Sequence, residues 1–166
     1  GWVVSLSQRG TASLKRISSI LDTKPRVVNP PADRVQHLPE TGTLDIRNLS
    51  FAYGNNGHKA IGDITATIHP GETVAIAGPT GSGKSTLAQL IWRRYAVADG
   101  RIAFGGIDMN SVPLDEWRKR IAMVPQEAFL FSDTLMSNIA LTDAHLTEQR
   151  LRDVGELAAF NKDVDD

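Results

Sequence analysis

The sequence contains no cysteine. A disulfide scaffold, a Cys-liganded zinc site and a thiol nucleophile are therefore excluded. Long apolar runs are lacking as well. Near the N-terminus Trp2, Val3, Val4 and Leu6 are broken up by serines, whereas a membrane span needs about 20 apolar residues. The opening has no basic stretch followed by a long apolar one, so no signal peptide is read there. Charge of one sign is also scarce: 18 Lys+Arg against 19 Asp+Glu leave a net charge of -1. Binding to nucleic acid draws on clustered basic charge and counterion release, so nucleic acid is not an expected partner. What is present is an ordinary globular composition, 41% hydrophobic with 14 Gly and 8 Pro in 166 residues. That length suits about one domain.

Charge is uneven along the chain. Residues 1–26 carry a net +4 and residues 142–166 a net -4. The plain reading is two solvated surfaces. The sharper reading of the first stretch is a cytoplasmic juxtamembrane segment, basic residues following an apolar end. The chain opens on Gly1 rather than Met, which is expected of a processed chain or a fragment.

Leu14, Ile17 and Leu21 recur at helical spacing and predict a helix over 7–21, stopped by Pro25. Residues 22–43 hold Pro25, Pro30, Pro31 and Pro39 and read as a linker. The globular part is expected over 44–166. Leu44, Ile46, Leu49 and Phe51 predict a strand, and Ile61, Ile64, Ala66 and Ile68 a second, with a turn at 54–57. Residues 73–77 (TVAIA) and 121–124 are continuous apolar runs and predict fully buried strands. Residues 85–95 predict a helix, Asp99-Gly100 a turn before a strand at 101–104, and 114–120 a short helix with Asp115 and Glu116 in its first turn. Thr147 caps a helix predicted to reach Phe160, weakened by Gly155.

One segment carries chemistry. Gly78-Pro79-Thr80-Gly81-Ser82-Gly83-Lys84-Ser85-Thr86 fits G-x-x-x-x-G-K-[ST] without a mismatch, between a predicted strand and a predicted helix. Glycines let the backbone curl around a phosphate with its N–H groups pointing inward. The following helix adds the positive end of its dipole. Lys84 is suited to the β- and γ-phosphates as a compact cation. The Ser85 hydroxyl is an oxygen ligand of the kind Mg²⁺ takes beside its waters and the phosphates. A dinucleotide fingerprint is not met, because Thr86 stands where its last glycine belongs. The histidines, His37, His58, His69 and His145, have no ligand spacing and read as surface or satisfied residues.

The chain resembles ATP-binding cassette (ABC) transporters of the exporter type, the multidrug-resistance-like half-transporters among them. Phe51-Ala52-Tyr53-Gly54 is similar to the aromatic A-loop. The glycine-rich loop is the Walker A segment. Val124-Pro125-Gln126-Glu127-Ala128-Phe129-Leu130-Phe131, with the following 134–139, resembles the exporter Q-loop and its continuation. Residues 8–22 are similar to the segment joining the last membrane helix to the cassette. The resemblance implies an α/β P-loop NTPase core with an N-terminal antiparallel β part, a partial cassette preceded by a helix (1–21) and a linker (22–43). It implies ATP and Mg²⁺ as ligands, with Tyr53 stacking on adenine and Gln126 approaching Mg²⁺ and the attacking water. It implies a membrane domain of the same transporter and a second cassette as partners, at the cytoplasmic face of a membrane, in ATP-driven export. Phe129, Leu130 and Phe131 would form an apolar surface for a membrane-domain helix, or a core.

The sequence departs from the family's pattern. No L-S-G-G-Q signature, no Walker B strand ending in Asp-Glu and no switch histidine are found. The expectation is the front half of a cassette plus its linker, not competent to hydrolyse ATP by itself. Two readings stay open beside it: another small P-loop NTPase, and a non-catalytic ATP-binding module.

Overall fold

The computed structural model describes residues 1–54, 59–127, 129–141 and 147–158. They divide into two compact units, Gly1–Met123 and Val124–Asp166, taken separately below. The predicted turn at 54–57, His58, His145 and the last residues of the predicted C-terminal helix, 159–160, lie wholly or partly outside the described residues.

The first unit opens with helix α1, Trp2–Leu21, longer at its start than the periodicity indicated. It ends where the Asp22 N–H turns back to the Ser18 carbonyl at 2.8 Å. Leu14, Ile17 and Leu21 face solvent. Among the described residues no helix is long and apolar enough to cross a membrane.

The heart of the unit is a four-stranded antiparallel sheet of β1 (Leu44–Ala52), β2 (Lys59–Ile68), β3 (Ile102–Phe104) and β4 (Ile107–Asp108), in the order β2-β1-β3-β4. The irregular spacing of Leu44, Ile46, Leu49 and Phe51 has a backbone cause. The β1–β2 register slips between Ile46 and Leu49. Asn48 and Asp63 there adopt left-handed φ values of 43° and 51°, a conformation these two residue types tolerate best among non-glycines. Each is held by a cross-strand hydroxyl: Thr65 Oγ1 accepts from the Asn48 N–H at 3.0 Å, and Ser50 Oγ from the Asp63 N–H at 2.9 Å. The extra residue resets the alternation, so that Ile46 and Leu49 both point inward. Gly105 and Gly106, with φ of 56° and 81°, close the β3–β4 hairpin as a two-residue turn with both central φ positive.

Helix α2, Lys84–Ile91, lays Leu87 and Leu90 on the inner sheet face. With Ile46, Leu49, Ile61, Ile102, Met109, Val112 and Trp117 they form the core. Trp117 belongs to α3, Leu114–Lys119, whose first turn holds Asp115 and Glu116 as expected. Its indole N–H donates to the Ile91 carbonyl at 2.8 Å, ending α2 against α3.

The proline-rich stretch 22–43 has one short 3-10 turn, Ala32–Arg34, and is stapled along the unit by hydrogen bonds. Asn29 Oδ1 accepts from the Leu114 N–H, the Ser111 carbonyl from the Gln36 N–H, and Glu116 from both the Leu38 N–H and His37, each at 2.8 Å. The most buried staple is Arg93, 2% exposed, with φ of 59° just past the end of α2. Its guanidinium donates to the carbonyls of Val112 (2.6 Å) and Val28 (3.1 Å). Burial and then Arg118 push it below the usual guanidinium value, with Asp108 opposing. Arg118 stacks over Trp92 at 4.9 Å and donates to the Arg93 carbonyl.

Two expected strands do not form. Residues 73–77 form no strand, and Val74 and Ile76 are 47% and 51% exposed. Residues 121–124 pair with nothing among the described residues, and Val124 is 94% exposed. Both runs have the apolar character of parallel strands, which need a neighbouring strand and helices on both faces. Among the described residues no parallel ladder exists to receive them.

In the second unit Thr134 caps α4, Leu135–Ala140, its hydroxyl accepting from the Ser137 N–H at 3.1 Å. Asn138 bonds both the N–H and the carbonyl of Phe131, at 2.7 and 3.1 Å. Thr147 caps α5, Glu148–Leu157, as the sequence indicated. Phe129 and Phe131 meet edge to face at 5.0 Å and are exposed, so they form no core of this unit.

Candidate functional site

The glycine-rich loop ends in α2, with Gly83 as the N-cap at φ 90°. A β-carbon at Gly83 would stand 2.3 Å from the Ala60 carbonyl oxygen and 3.2 Å from Ile61. Glycine is required there twice over, by its left-handed φ and by contact with the start of β2. That contact seats the loop on the sheet. The Pro79 carbonyl accepts from the Ser82 N–H at 3.2 Å and closes the turn.

Lys84 folds back over the loop. Its Nζ donates to the carbonyls of Gly78 (2.7 Å) and Pro79 (2.8 Å), with Ser82 Oγ at 3.4 Å. Thr86 is buried and accepts a hydrogen bond from the Tyr53 phenol at 2.9 Å. Tyr53 is half exposed, and its ring meets those of Phe51 and Tyr95 edge to face, with centroids 5.1 and 5.3 Å away, while Phe51 and Tyr95 are tilted at 5.3 Å. Ser85 is exposed at the start of α2.

These residues enclose an open cavity of about 440 Å³, lined by Tyr53, Lys59, Ala60, Gly81, Gly83, Lys84, Ser85 and Thr86. No carboxylate among the described residues lines it. Among the described residues no group of three His, Asp or Glu could hold a metal ion. Ser85 offers one hydroxyl, which fits Mg²⁺ only in the mode that takes its other ligands from phosphate and water.

The structure thus gathers Tyr53, Gly81, Gly83, Lys84, Ser85 and Thr86 around one cavity, with Gly78, Pro79 and Ser82 in the loop that ties Lys84 down. Thr80 lies at the loop's turn. Gln126 belongs to the second unit, where it is exposed in a bend. Lys59 and Ala60 were not among the residues singled out from the sequence. The signal for them was cross-strand counting: Lys59 pairs with Ala52, next to Tyr53.

A glycine-rich loop seated against a strand and opening a helix, with a lysine over it, defines a P-loop nucleotide-binding protein. A family profile described as ABC transporter matches residues 61–165. The chain belongs to the ABC transporter family, and its fold is a partial cassette of that family. It is 40% identical over 164 residues to the multidrug resistance-like ATP-binding protein MdlA of Escherichia coli (strain K12), covering 98% of this chain and 27% of that protein. It is 36% identical over 166 residues to the probable multidrug resistance ABC transporter ATP-binding/permease protein YheI of Bacillus subtilis (strain 168), covering 99% and 28%. A solved structure of a bacterial Atm1-family ABC exporter with ATP bound superposes with a TM-score of 0.80 at 28% identity, over 92% of this chain and 26% of that one. The chain thus spans about a quarter of the length of these relatives.

Proposed function

We propose that this chain forms the Walker A half-site for ATP in an exporter that couples ATP binding and hydrolysis to transport across a membrane. The observation that carries this reading is the seating of Gly83 against Ala60. It holds the loop open toward a cavity lined by two lysines, the Ser85 and Thr86 hydroxyls and an aromatic ring, and by no acid among the described residues. An incoming triphosphate takes the place of the Gly78 and Pro79 carbonyls at the Lys84 ammonium. Ammonium–phosphate hydrogen bonds are stronger than ammonium–carbonyl ones, because both partners are charged. Tyr53 supplies an adenine platform, a contact of about 1–3 kcal/mol where bases stack on aromatic rings. Mg²⁺, held by the Ser85 hydroxyl, would neutralise the phosphates and polarise the terminal one.

Hydrolysis also needs a group that orients the attacking water. Among the described residues the cavity has no carboxylate, so in this reading the chain by itself binds nucleotide without turning it over. In this reading the cargo is of a multidrug or lipid-like kind, a reading supported by relatives named a multidrug resistance-like ATP-binding protein and an ATP-dependent lipid A-core flippase. The remaining partners in this reading are a membrane domain, a second cassette and the cytoplasmic face of a membrane. The exposed Phe129, Leu130 and Phe131 would face the membrane domain.

The test is ATP-dependent thermal stabilisation of the purified chain. Ligand at about 100 times its Kd adds about 2.7 kcal/mol. The expected result is a rise in Tm with ATP that Lys84→Met abolishes. A wild-type chain whose Tm ignores millimolar ATP would refute the reading.

A further inference from the structure

Of the two cations lining the nucleotide cavity, Lys84 is already engaged. Its ammonium has three protons, and three oxygens stand around it: Gly78 O, Pro79 O and Ser82 Oγ. Lys59 is in the opposite condition. It lines the same cavity from the first position of β2, is exposed, and has no ion-pair partner among the described residues. Its backbone position is fixed on two sides. It pairs across the sheet with Ala52, beside Tyr53. Its neighbour Ala60 is the residue on which Gly83 rests. Lys59 is therefore built into the wall against which the phosphate loop leans.

We propose that Lys59 is a second phosphate-binding cation, meeting the polyphosphate of a nucleoside di- or triphosphate from the β2 side while Lys84 and the start of α2 meet it from the loop side. The proposal rests on the reading of this cavity as an ATP half-site. Two physical points carry it. A triphosphate entering a cavity with no acidic lining among the described residues is drawn to the cation that need not first release other partners. And a single ammonium with one helix end leaves most of the ligand's negative charge unmatched, whereas a second ammonium in the same lining offsets more of it. The charge is the essential feature, so arginine should replace Lys59 and methionine, of similar length, should not.

The experiment is a fluorescence titration of the chain with mant-ATP and mant-ADP, for wild type, Lys59→Met, Lys59→Arg and Lys84→Met, at two salt concentrations. Lys59→Met should weaken both nucleotides by about tenfold, the usual scale for one charge-assisted contact. Its affinity should also depend less on salt than that of the wild type, because one screened attraction is gone. Lys59→Arg should stay within threefold of wild type. Wild-type binding with Lys59→Met within twofold of it would overturn the role of Lys59 and leave the ATP reading standing. An unchanged salt dependence beside weakened binding would overturn it too, since that marks damage to the wall rather than a lost charge. No binding by the wild type would overturn the ATP reading itself.

Discussion

The Tyr53 phenol and the Thr86 hydroxyl are hydrogen-bonded at 2.9 Å, tying the end of β1 to the first turn of α2. The aromatic wall of the cavity and the helix that receives phosphate are thereby one rigid piece. Tyr53→Phe keeps the ring and loses this bond. It should cost about 1 kcal/mol of stability and leave nucleotide affinity within a few-fold. Tyr53→Ala removes the ring and should weaken ATP far more than it lowers Tm. Urea melts beside nucleotide titrations separate the two effects.

Gly83→Ala is the sharpest single test of the seating. The added carbon has the Ala60 carbonyl oxygen at 2.3 Å and must hold a φ of 90°. The left-handed strain alone is about 1–3 kcal/mol, and the clash adds to it. The expected outcome is a large drop in Tm together with loss of ATP-dependent stabilisation. An alanine variant with native Tm would show that the loop does not rest on β2.

Arg93 holds two backbone carbonyls from separate segments, Val28 and Val112. Arg93→Met leaves both without that donor, at about 1–3 kcal/mol for each buried group left unsatisfied. The linker should also come loose from the sheet unit. Trypsin should then cut faster at Arg26 and Arg34, and Lys at position 93 should not restore protection, because one ammonium cannot reproduce the guanidinium fork.

The His37–Glu116 contact gives an acid-side signature. The Leu38 N–H first, and then His37, hold the Glu116 carboxyl below its ordinary range. A carboxyl lowered in the folded state stabilises the fold above its unfolded pKa, about 4.3. That contribution disappears as pH falls through the lower folded value. Glu116→Gln should remove this part of the acid dependence and leave stability least changed below the lowered folded value, where the wild-type carboxyl is protonated in both states. Chemical melts from pH 7 down to pH 2 read it directly. Equal slopes for the variant and wild type would discount the contact.

Much of this architecture was legible in the residues, and the exceptions share one cause. The Walker A loop was legible because its spacing encodes a backbone path. The caps at Thr147 and the acidic start of α3 were legible because they are local. The β1–β2 pair was legible as alternation, but its bulge was not, since Asn48 and Asp63 take left-handed conformations only when Thr65 and Ser50 stand across from them. Residues 73–77 and 121–124 carry the composition of buried strands, yet composition describes an environment that neighbours must supply. Lys59 and Arg93 escaped notice because one is defined by cross-strand register and the other by carbonyls distant in sequence. Neither belongs to a motif.

The rest of Gly83 on Ala60 has a meaning for the order of folding. β1 and β2 are adjacent in the chain and antiparallel, so their pairing closes a short loop and is entropically cheap to begin. The phosphate loop comes later in the sequence and meets a wall already standing. A nascent chain, which folds from its N-terminal side as it emerges, would therefore shape its nucleotide cradle on a local hairpin before any long-range parallel pairing is needed.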